Sequence, residues 1–242
     1  MLKKVLIVLC RPSHPGNIGA VARAMKNMGL TQLVLVSPNQ FPSQQATDRA
    51  SGADDVLAQA IVVSTFEEAI HSCQWVFGTS ARQREFPLPV LTPKQAAEMI
   101  KQLSGSEQKI AVVFGNEQSG LSNEELHLCD YHLSIPACPE YSSLNLAAAV
   151  QVIAYEIYQT TVNENDSDSK PLSRSFIKAN SGEVMGLIKQ FEEVAIALKF
   201  LDPKHPKKLM TRIKRLFSKA QLETEEVNIL RGFLKKIPCT LK

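Results

Sequence analysis

Short apolar runs alternate with amphipathic stretches over the first part of the chain. The runs have the length and the Val, Ile and Leu content of buried strands. They are predicted at Val5–Leu9, Leu33–Val36, Ile61–Val63, Trp75–Gly78, Ile110–Phe114 and Tyr131–Ile135. Apolar positions at helical spacing predict helices between them, at Asn17–Met28, Thr65–His71, Thr92–Leu103 and Ser142–Gln159. This alternation predicts an α/β fold, with a parallel sheet that carries helices on both faces.

The pattern changes after residue 160. Residues 161–173 are polar, poor in apolar side chains and rich in Asn, Asp and Ser, which is typical of a linker. Residues 174–242 have only helical periodicity and predict a small all-helical C-terminal extension. Because so short a segment buries little apolar surface by itself, we expect it to pack on the main domain (residues 1–160) or on a second copy of itself.

Charge divides the chain at the same place. Residues 1–173 hold 12 Lys and Arg against 17 Asp and Glu, whereas residues 174–242 hold 15 against 7. A basic segment beside an acidic one favours a polyanionic partner such as nucleic acid, although a solvated basic surface would give the same count. The five cysteines are scattered without a C-x-x-C pair, which argues against disulfides and zinc and predicts a reducing, cytoplasmic location. No stretch approaches the roughly 18 apolar residues of a membrane span.

Polar segments follow several of the predicted strands, at the edge where open α/β sheets place their sites. After the first strand, Asn17 is placed to cap a helix, and Arg23 could reach back to an anion near the helix start. A capped helix with a surface arginine is the alternative interpretation. After the fifth strand, Gly115 and Gly120 allow close approach of the backbone, and Glu117 lies between them.

The third segment follows the last predicted strand. Two prolines stiffen its loop, Ser142 and Ser143 begin the next helix, and Asn145 lies one turn inside that helix. A fourth loop, after the strand that ends at Gly78, places Arg82 and Arg84 at the same edge. The glycine fingerprints of dinucleotide and P-loop sites, the nucleophile elbow and the H-E-x-x-H zinc motif are all absent, so an oxidoreductase with a nucleotide cofactor lacks support.

Together these segments resemble the three motifs of the SPOUT RNA methyltransferases, in their ribose-methylating branch. The matching residues are Asn17-x-Gly with Arg23, then Phe-Gly-Asn-Glu-x-x-Gly-Leu, then Ile-Pro-x-x-Pro-Glu-Tyr-Ser-Ser-Leu-Asn-Leu-Ala. The spacing, the Gly-Thr-Ser-Ala-Arg segment and the helical tail are similar to the bacterial enzymes that methylate the ribose of cytidine or uridine 32 in tRNA. The resemblance covers the chain to about residue 160 and, more loosely, the tail. The segment 161–173 varies within that family, so nothing is inferred for it.

The resemblance implies a C-terminal trefoil knot in the main domain, S-adenosylmethionine as cofactor, and a homodimer with its active site at the interface. No metal is implied. Catalytic or positioning roles are implied for Arg23, Asn17, Glu117, Ser142 and Asn145, with Arg23 acting beside the cofactor of the partner chain. The implied cofactor residues are Thr79, Ser80, Ala81, Gly115, Ile135, Ser142, Ser143 and Leu144.

The expected substrate is tRNA, bound by the basic tail through phosphate contacts, which position RNA without reading its sequence. The predicted RNA-binding residues are Arg82, Arg84, Lys207, Lys208, Arg212, Lys214, Arg215 and Lys219. The same chemistry at another tRNA or rRNA nucleotide is the first alternative. A non-catalytic RNA-binding protein on the same scaffold is the second, and the intact set of Arg23, Asn17 and Asn145 argues against it.

Overall fold

The computed structural model describes residues 2–80, 89–103, 108–162 and 177–240. In these residues one seven-stranded sheet has the order β3-β2-β1-β6-β4-β7-β5, and every neighbouring pair is parallel. This confirms the predicted parallel α/β architecture. The strands are β1 (Val5–Cys10), β2 (Gln32–Val36), β3 (Ile61–Val63), β4 (Trp75–Thr79), β5 (Val90–Leu91), β6 (Ile110–Phe114) and β7 (Tyr131–Leu133).

Helices cover both faces of the sheet. The central strands alternate, so that Ile7 and Leu9 of β1 enter one core and Val8 and Cys10 enter the other. Helices α1, α2, α3, α5 and α7 cover the first face, and α4 and α6 cover the second. The helices are α1 (Pro15–Asn27), α2 (Gln44–Ala50), α3 (Asp54–Ala58), α4 (Phe66–Ile70), α5 (Pro93–Leu103), α6 (Asn123–Leu126), α7 (Leu146–Val162), α8 (Ser181–Ala197), α9 (Leu209–Ala220) and α10 (Thr224–Thr240).

Two predicted helix starts are wrong. Helix α1 is capped by His14, whose ring nitrogen Nδ1 accepts a hydrogen bond from Gly16 N, so Asn17 lies inside the helix and its side chain is free for another contact. Helix α7 begins at Leu146 instead of Ser142, which leaves Asn145 before the helix instead of one turn within it. In both cases a side chain that could cap a helix lies within a few residues of the true start, and local preference alone does not choose between them.

Among the described helices and strands of the main domain, four short α-helices or strands escaped the sequence analysis, namely α2, α3, α6 and β5. Helix α2 has few apolar residues, and its two buried alanines replace the large side chains that a periodicity search detects. It approaches α1 closely at Gly19, where a Cβ atom would lie 2.0 Å from the Ala46 carbonyl oxygen. Strand β5 has only two residues and pairs with β7 at the edge of the sheet. Backbone contacts of this kind leave little trace in a hydrophobic pattern.

The C-terminal helices form their own small core and pack on the main domain, one of the two expected arrangements. Phe191 of α8 meets Phe217 of α9 edge to face, with ring centroids 6.4 Å apart. Ser181 N donates to Cys73 O at 2.8 Å, and Ser218 Oγ donates to Cys129 O at 3.3 Å. Cys73 and Cys129 precede β4 and β7, so the extension lies at the amino-terminal ends of these strands.

The boundary between the two parts lies near residue 160. Helix α7 continues to Val162, so the first two residues of the predicted linker 161–173 are helical, and the remainder lies outside the described residues. The division into residues 1–160 and 174–242 therefore stays a prediction. Among the helices that the structure describes, none is both long and apolar enough to cross a membrane.

Candidate active site

A cleft of about 240 Å3 opens at the carboxyl ends of β4, β6 and β7. Hydroxyl groups line part of the cleft, and its apolar wall includes Leu133, Leu146 and Ala149. Of the eight residues predicted to bind a cofactor, Ala81 lies outside the described residues. The other predicted residues all line this cleft, namely Thr79, Ser80, Gly115, Ile135, Ser142, Ser143 and Leu144. Three segments that are distant in the sequence therefore meet at one place.

The loop after β6 is folded tightly on itself. A Cβ atom at Gly115 would lie 2.0 Å from the Gly120 carbonyl carbon, so no larger residue fits there, and Gly120 has a positive φ of 69°. Asn116 Oδ1 accepts a hydrogen bond from Gln118 N at 2.9 Å, while its Nδ2 donates to Arg11 O at 2.7 Å. The side chain of Asn116 therefore shapes the loop and ties it to the end of β1.

The Glu117 carboxylate joins this loop to the start of α1. It accepts hydrogen bonds from Ser13 N and Ser13 Oγ, each at 2.9 Å, from His14 N at 3.3 Å and from Asn17 Nδ2 at 2.9 Å. Burial opposes ionisation, but the hydrogen bonds from Asn17 and Ser13 outweigh it and lower the pKa of Glu117. Glu117 is therefore an anion at neutral pH that fixes the Asn17 amide.

Asn145 extends this network to the third segment. Its Nδ2 donates to Asn17 Oδ1 at 3.1 Å, and its Oδ1 accepts from Ala147 N at 2.9 Å. Asn145 thus caps the first turn of α7 while it contacts α1. The chain Glu117–Asn17–Asn145 links all three motifs at the rim of the cleft. Ser142 lies on the cleft wall in an exposed position, ahead of the helix.

Arg23 lies away from this network. It is exposed on α1, six residues after Asn17, which corresponds to about 9 Å along the helix axis at 1.5 Å per residue. It does not line the cleft, and no side-chain hydrogen bond or ion pair joins it to another residue in the described part of the chain. Its guanidinium is therefore open to a ligand or to another chain.

The predicted RNA-binding residues fall into three groups. Arg82 and Arg84 lie outside the described residues. Lys207, Lys208, Arg212 and Lys219 are exposed at or before α9. Lys214 and Arg215 are half-buried, and Lys214 lines a space between the extension and the main domain. The exposed group is thus better placed for phosphate contacts than the half-buried pair.

Sequence reasoning missed two polar residues of the network, Ser13 and Asn116. Ser13 directly precedes the first motif, and its hydroxyl and amide both bind Glu117. Asn116 lies within the second motif but was not singled out. Asparagine between glycines is a common turn residue, and this signal could have marked Asn116. Ser13 carried no comparable signal, because its role depends on a partner more than a hundred residues away.

Comparison with known proteins agrees with this geometry. Residues 4–155 match the model of the SpoU rRNA methylase family, and residues 182–242 match that of the C-terminal domain of the tRNA methyltransferase TrmJ. The first match covers more than half of the chain. The chain therefore belongs to the SpoU methylase family, as the resemblance predicted.

Two relatives and one solved structure similar to this chain carry the name TrmJ. The chain is 45% identical to tRNA (cytidine/uridine/adenosine-2′-O-)-methyltransferase TrmJ of Pseudomonas aeruginosa, with 97% of this chain and 93% of that protein covered. It is 43% identical to tRNA (cytidine/uridine-2′-O-)-methyltransferase TrmJ of Escherichia coli K12, covering 98% and 96%. TrmJ from Zymomonas mobilis ZM4 superposes with a TM-score of 0.84 at 34% identity, covering 96% of this chain and 98% of that one. The likeness extends through both parts of the chain.

Proposed function

We propose that this protein transfers a methyl group from S-adenosylmethionine to a ribose 2′-hydroxyl of tRNA. The observation that carries the proposal is the meeting of the second and third motif segments with the loop after β4 at one cleft, to which the Glu117–Asn17–Asn145 network ties the first motif. The TrmJ names of relatives that match over nearly the full chain support it. The enzyme is thus a tRNA (cytidine/uridine-2′-O-)-methyltransferase.

The cleft fits S-adenosylmethionine by the chemistry of its walls. Leu133, Ile135 and Leu144 offer an apolar surface for an adenine ring, and hydroxyls of Thr79 and Ser143 offer partners for polar groups. The glycine at 115 keeps the wall free of a side chain, so that the main chain itself can contact a ligand. A related SpoU methyltransferase, AviRb, has been solved in complex with AdoMet, with a TM-score of 0.53 at 23% identity. When bound, S-adenosylmethionine supplies a methyl group on an electrophilic sulfonium.

The residues of this chain then have to orient the nucleophile. Holding oxygen and methyl carbon in line supplies several kcal/mol of the barrier. Arg23 does not act as a free base, because a guanidinium keeps its proton far above neutral pH. Arg23 instead clamps the phosphate next to the target ribose, and phosphate oxygen or water accepts the hydroxyl proton. Asn17, Glu117, Ser142 and Asn145 position the ribose and the loop segments around it.

The active site is completed by a second copy of the chain. Arg23 lies outside the cleft of its own chain, in keeping with the resemblance, which pairs it with the partner's cofactor. Tyr155, Tyr158 and Val162 leave an exposed apolar stripe on α7, beside α1, which a second copy would cover.

Mixed dimers test this arrangement. In a dimer of an Arg23→Ala chain with a Gly115→Ala chain, one of the two sites carries both lesions and the other carries none. Random pairing then gives about a quarter of wild-type activity, from two variants that are each inactive alone. If Arg23 served its own cleft, every site would carry a lesion and the mixture would stay inactive.

The target is assigned to the anticodon loop, at cytidine or uridine 32. This position rests on the resemblance, and the exposed basic residues of the tail support a tRNA partner. One solved neighbour, at 26% identity and a TM-score of 0.54, concerns 2′-OH methylation of C/U34 on tRNA, so nucleotide 34 is the main alternative. The cytoplasm is the expected location, because the described thiols of Cys10, Cys73, Cys129 and Cys138 are free, and that of Cys138 is exposed.

The topology also supports a trefoil knot. Strand β7 lies beyond β4, while β6 lies between β1 and β4, so the chain crosses over β4 between β6 and β7. The loops that follow β6 and β7 both line the cleft. We assign the knot to these two loops, so that the cofactor would lie within it.

Nucleoside mass spectrometry of an unmodified tRNA transcript, incubated with protein and S-adenosylmethionine, tests the reaction. The expected product is 2′-O-methylcytidine or 2′-O-methyluridine, and it should be absent with Arg23→Ala. A transcript with 2′-deoxyribose only at nucleotide 32 should give no product, and one with the same change at nucleotide 34 should react normally. A base-methylated nucleoside would refute ribose methylation. Tight tRNA binding without any product would favour the non-catalytic alternative.

A further inference from the structure

A buried ion pair joins the C-terminal extension to the main domain, outside the active site. Lys178 Nζ donates to Asp130 Oδ1, and the two side chains are only 5% and 10% exposed. Lys178 also pairs with Glu223 in a short antiparallel bridge just before α10, so it belongs to the extension. Asp130 directly precedes β7. Other contacts across this interface include uncharged hydrogen bonds, such as the one that Gln221 Nε2 donates to Tyr131 Oη at 3.0 Å.

The pair is fastened to the first residues of two neighbouring strands. The second oxygen of Asp130 accepts a hydrogen bond from Val76 N at 2.9 Å, within β4. Lys178 Nζ lies 4.2 Å from the ring centroid of Trp75, at the start of β4. Trp75 in turn stacks on Tyr131 at the start of β7, with centroids 6.0 Å apart. A movement of the extension at Lys178 would therefore act on both strands.

The opposite ends of these strands form part of the cleft. Strands β4 and β7 are paired from Phe77 to Thr79, and Ser80 N donates to Leu133 O at 3.2 Å. Thr79, Ser80 and Leu133 all line the cleft. Strand β4 spans five residues, so the ion pair lies about 13 Å from the cleft at 3.3 Å per residue. The connection is one hydrogen-bonded pair of strands, β4 and β7. No loop lies within it that would damp a small displacement.

The extension does not depend on these two charges for its own packing. The extension already has an apolar core of its own, which includes Leu187, Val227 and Leu234. Burial opposes both charges, since it raises the pKa of Asp130 and lowers the pKa of Lys178. Replacing a buried pair with neutral groups of similar shape often costs little, whereas removing one partner leaves an uncompensated charge. Replacing both residues with neutral side chains of similar shape therefore removes the charges while it keeps the packing.

We propose that Lys178 and Asp130 are positioning residues that couple tRNA binding by the extension to S-adenosylmethionine binding in the cleft. This inference rests on the proposed function. The pair fixes the extension, with its exposed basic residues, against the strands whose far ends hold the cofactor. Since coupling between two ligands is reciprocal, tRNA should tighten S-adenosylmethionine binding by the same factor as the cofactor tightens tRNA binding.

The test compares the dissociation constant of S-adenosylmethionine with and without saturating tRNA. The wild type should show a ratio of about fivefold or more, within the usual range of coupling between sites. Lys178→Met keeps the aliphatic stem over Trp75, and Asp130→Asn keeps the acceptor for Val76 N. Each single variant should reduce the ratio to about one, while cofactor binding without tRNA stays within about twofold of wild type. The double variant buries no unpaired charge and should stay docked, yet it should also show a ratio of about one, because the pair itself is gone.

Lys189→Met, the same change at an exposed position of α8, is the matched control and should leave the ratio unchanged. Trp75 is the only tryptophan of the chain, so its emission reports docking in Asp130→Asn and in the control, whereas Lys178→Met also removes the ammonium group beside the ring. A wild type without coupling, a single variant that retains the wild-type ratio, or a double variant that recovers it would overturn the proposal. Neither readout needs turnover, so a failure of the proposed reaction would appear separately, as a wild type that binds both ligands but forms no methylated nucleoside.

Discussion

Glu117→Gln tests whether the carboxylate network orients the active site. In the wild type, two oxygens of Glu117 face four hydrogen-bond donors from Ser13, His14 and Asn17. In the variant one of these oxygens becomes an NH2 group. If the remaining oxygen faces Ser13, the new NH2 group faces the amide of Asn17, which must turn over. The turned amide then presents its own NH2 group to Asn145 and loses the bond at 3.1 Å.

The size of the effect follows from the bonds lost. A hydrogen bond to a charged group contributes about 1.5–3 kcal/mol, and a neutral one about 0.5–1.5 kcal/mol. Glu117 is half-buried, so we take the lower end for the charged bond to Asn17 and add the neutral bond from Asn145. The sum is about 2–3 kcal/mol, which corresponds to a fall in kcat of about 30- to 150-fold if it is lost in the transition state.

The assay is methyl transfer from labelled S-adenosylmethionine to a tRNA transcript, with kcat and KM measured for both substrates. Glu98→Gln, the same change at an exposed position of α5, is the control and should keep wild-type kinetics. A second variant reverses the donors: Glu117→Gln with Asn17→Asp lets the new amide donate to position 17, which again accepts from Asn145. It should regain about tenfold in kcat over Glu117→Gln. A kcat of Glu117→Gln within twofold of wild type, in a folded protein, would refute the network as an orienting device.

Three further outcomes are expected. Gly115→Ala should abolish S-adenosylmethionine binding in calorimetry, because the new Cβ would overlap backbone atoms of the cleft loop. Neutralising Lys207, Lys208 and Arg212 together should weaken tRNA binding and flatten its dependence on salt by about three units of slope at most; an unchanged slope would place the RNA elsewhere. Burial opposes ionisation of Glu125, but hydrogen bonds from Arg11 outweigh it and lower the pKa of Glu125. The free energy of unfolding should therefore fall as the pH drops below the usual glutamate range. In denaturant titrations Glu125→Gln should be less stable at neutral pH, by about 1–3 kcal/mol, and lack that acid-dependent loss.

The arrangement of strands could be predicted because it depends on features that a sequence displays directly. Strand β6 is buried at all five positions, and a short apolar run with three β-branched residues is typical of a buried parallel strand. Helix α2 could not be predicted in the same way. It is held against α1 by the absence of a side chain at Gly19 and by small residues, and a contact between two backbones leaves no periodic pattern.

The sequence singled out three side chains that lie together in the structure, but not the partners that hold them. The motifs named Asn17, Glu117 and Asn145, and the structure brings these three side chains together. That Glu117 would bind Ser13, and that Asn145 would cap α7 from outside, depends on where the loops after three strands fold relative to one another. The Lys178–Asp130 pair is a stronger case of this limit. A lysine or an aspartate buried without a partner lowers stability, and the sequence around Lys178 gives no sign that Asp130 is its partner.

The spacing within the first two motifs has a common physical reason. In each, a glycine secures a close backbone contact, and the polar side chain two positions away joins the network. At Gly19 that contact is with α2, and the polar residue is Asn17; at Gly115 it is within the cleft loop, and the residue is Glu117. Because a Cβ atom at either glycine would lie 2.0 Å from backbone atoms, a larger residue would move the whole segment. The polar pair would then separate by more than the tolerance of a hydrogen bond, so packing and chemistry at this site constrain the same few residues.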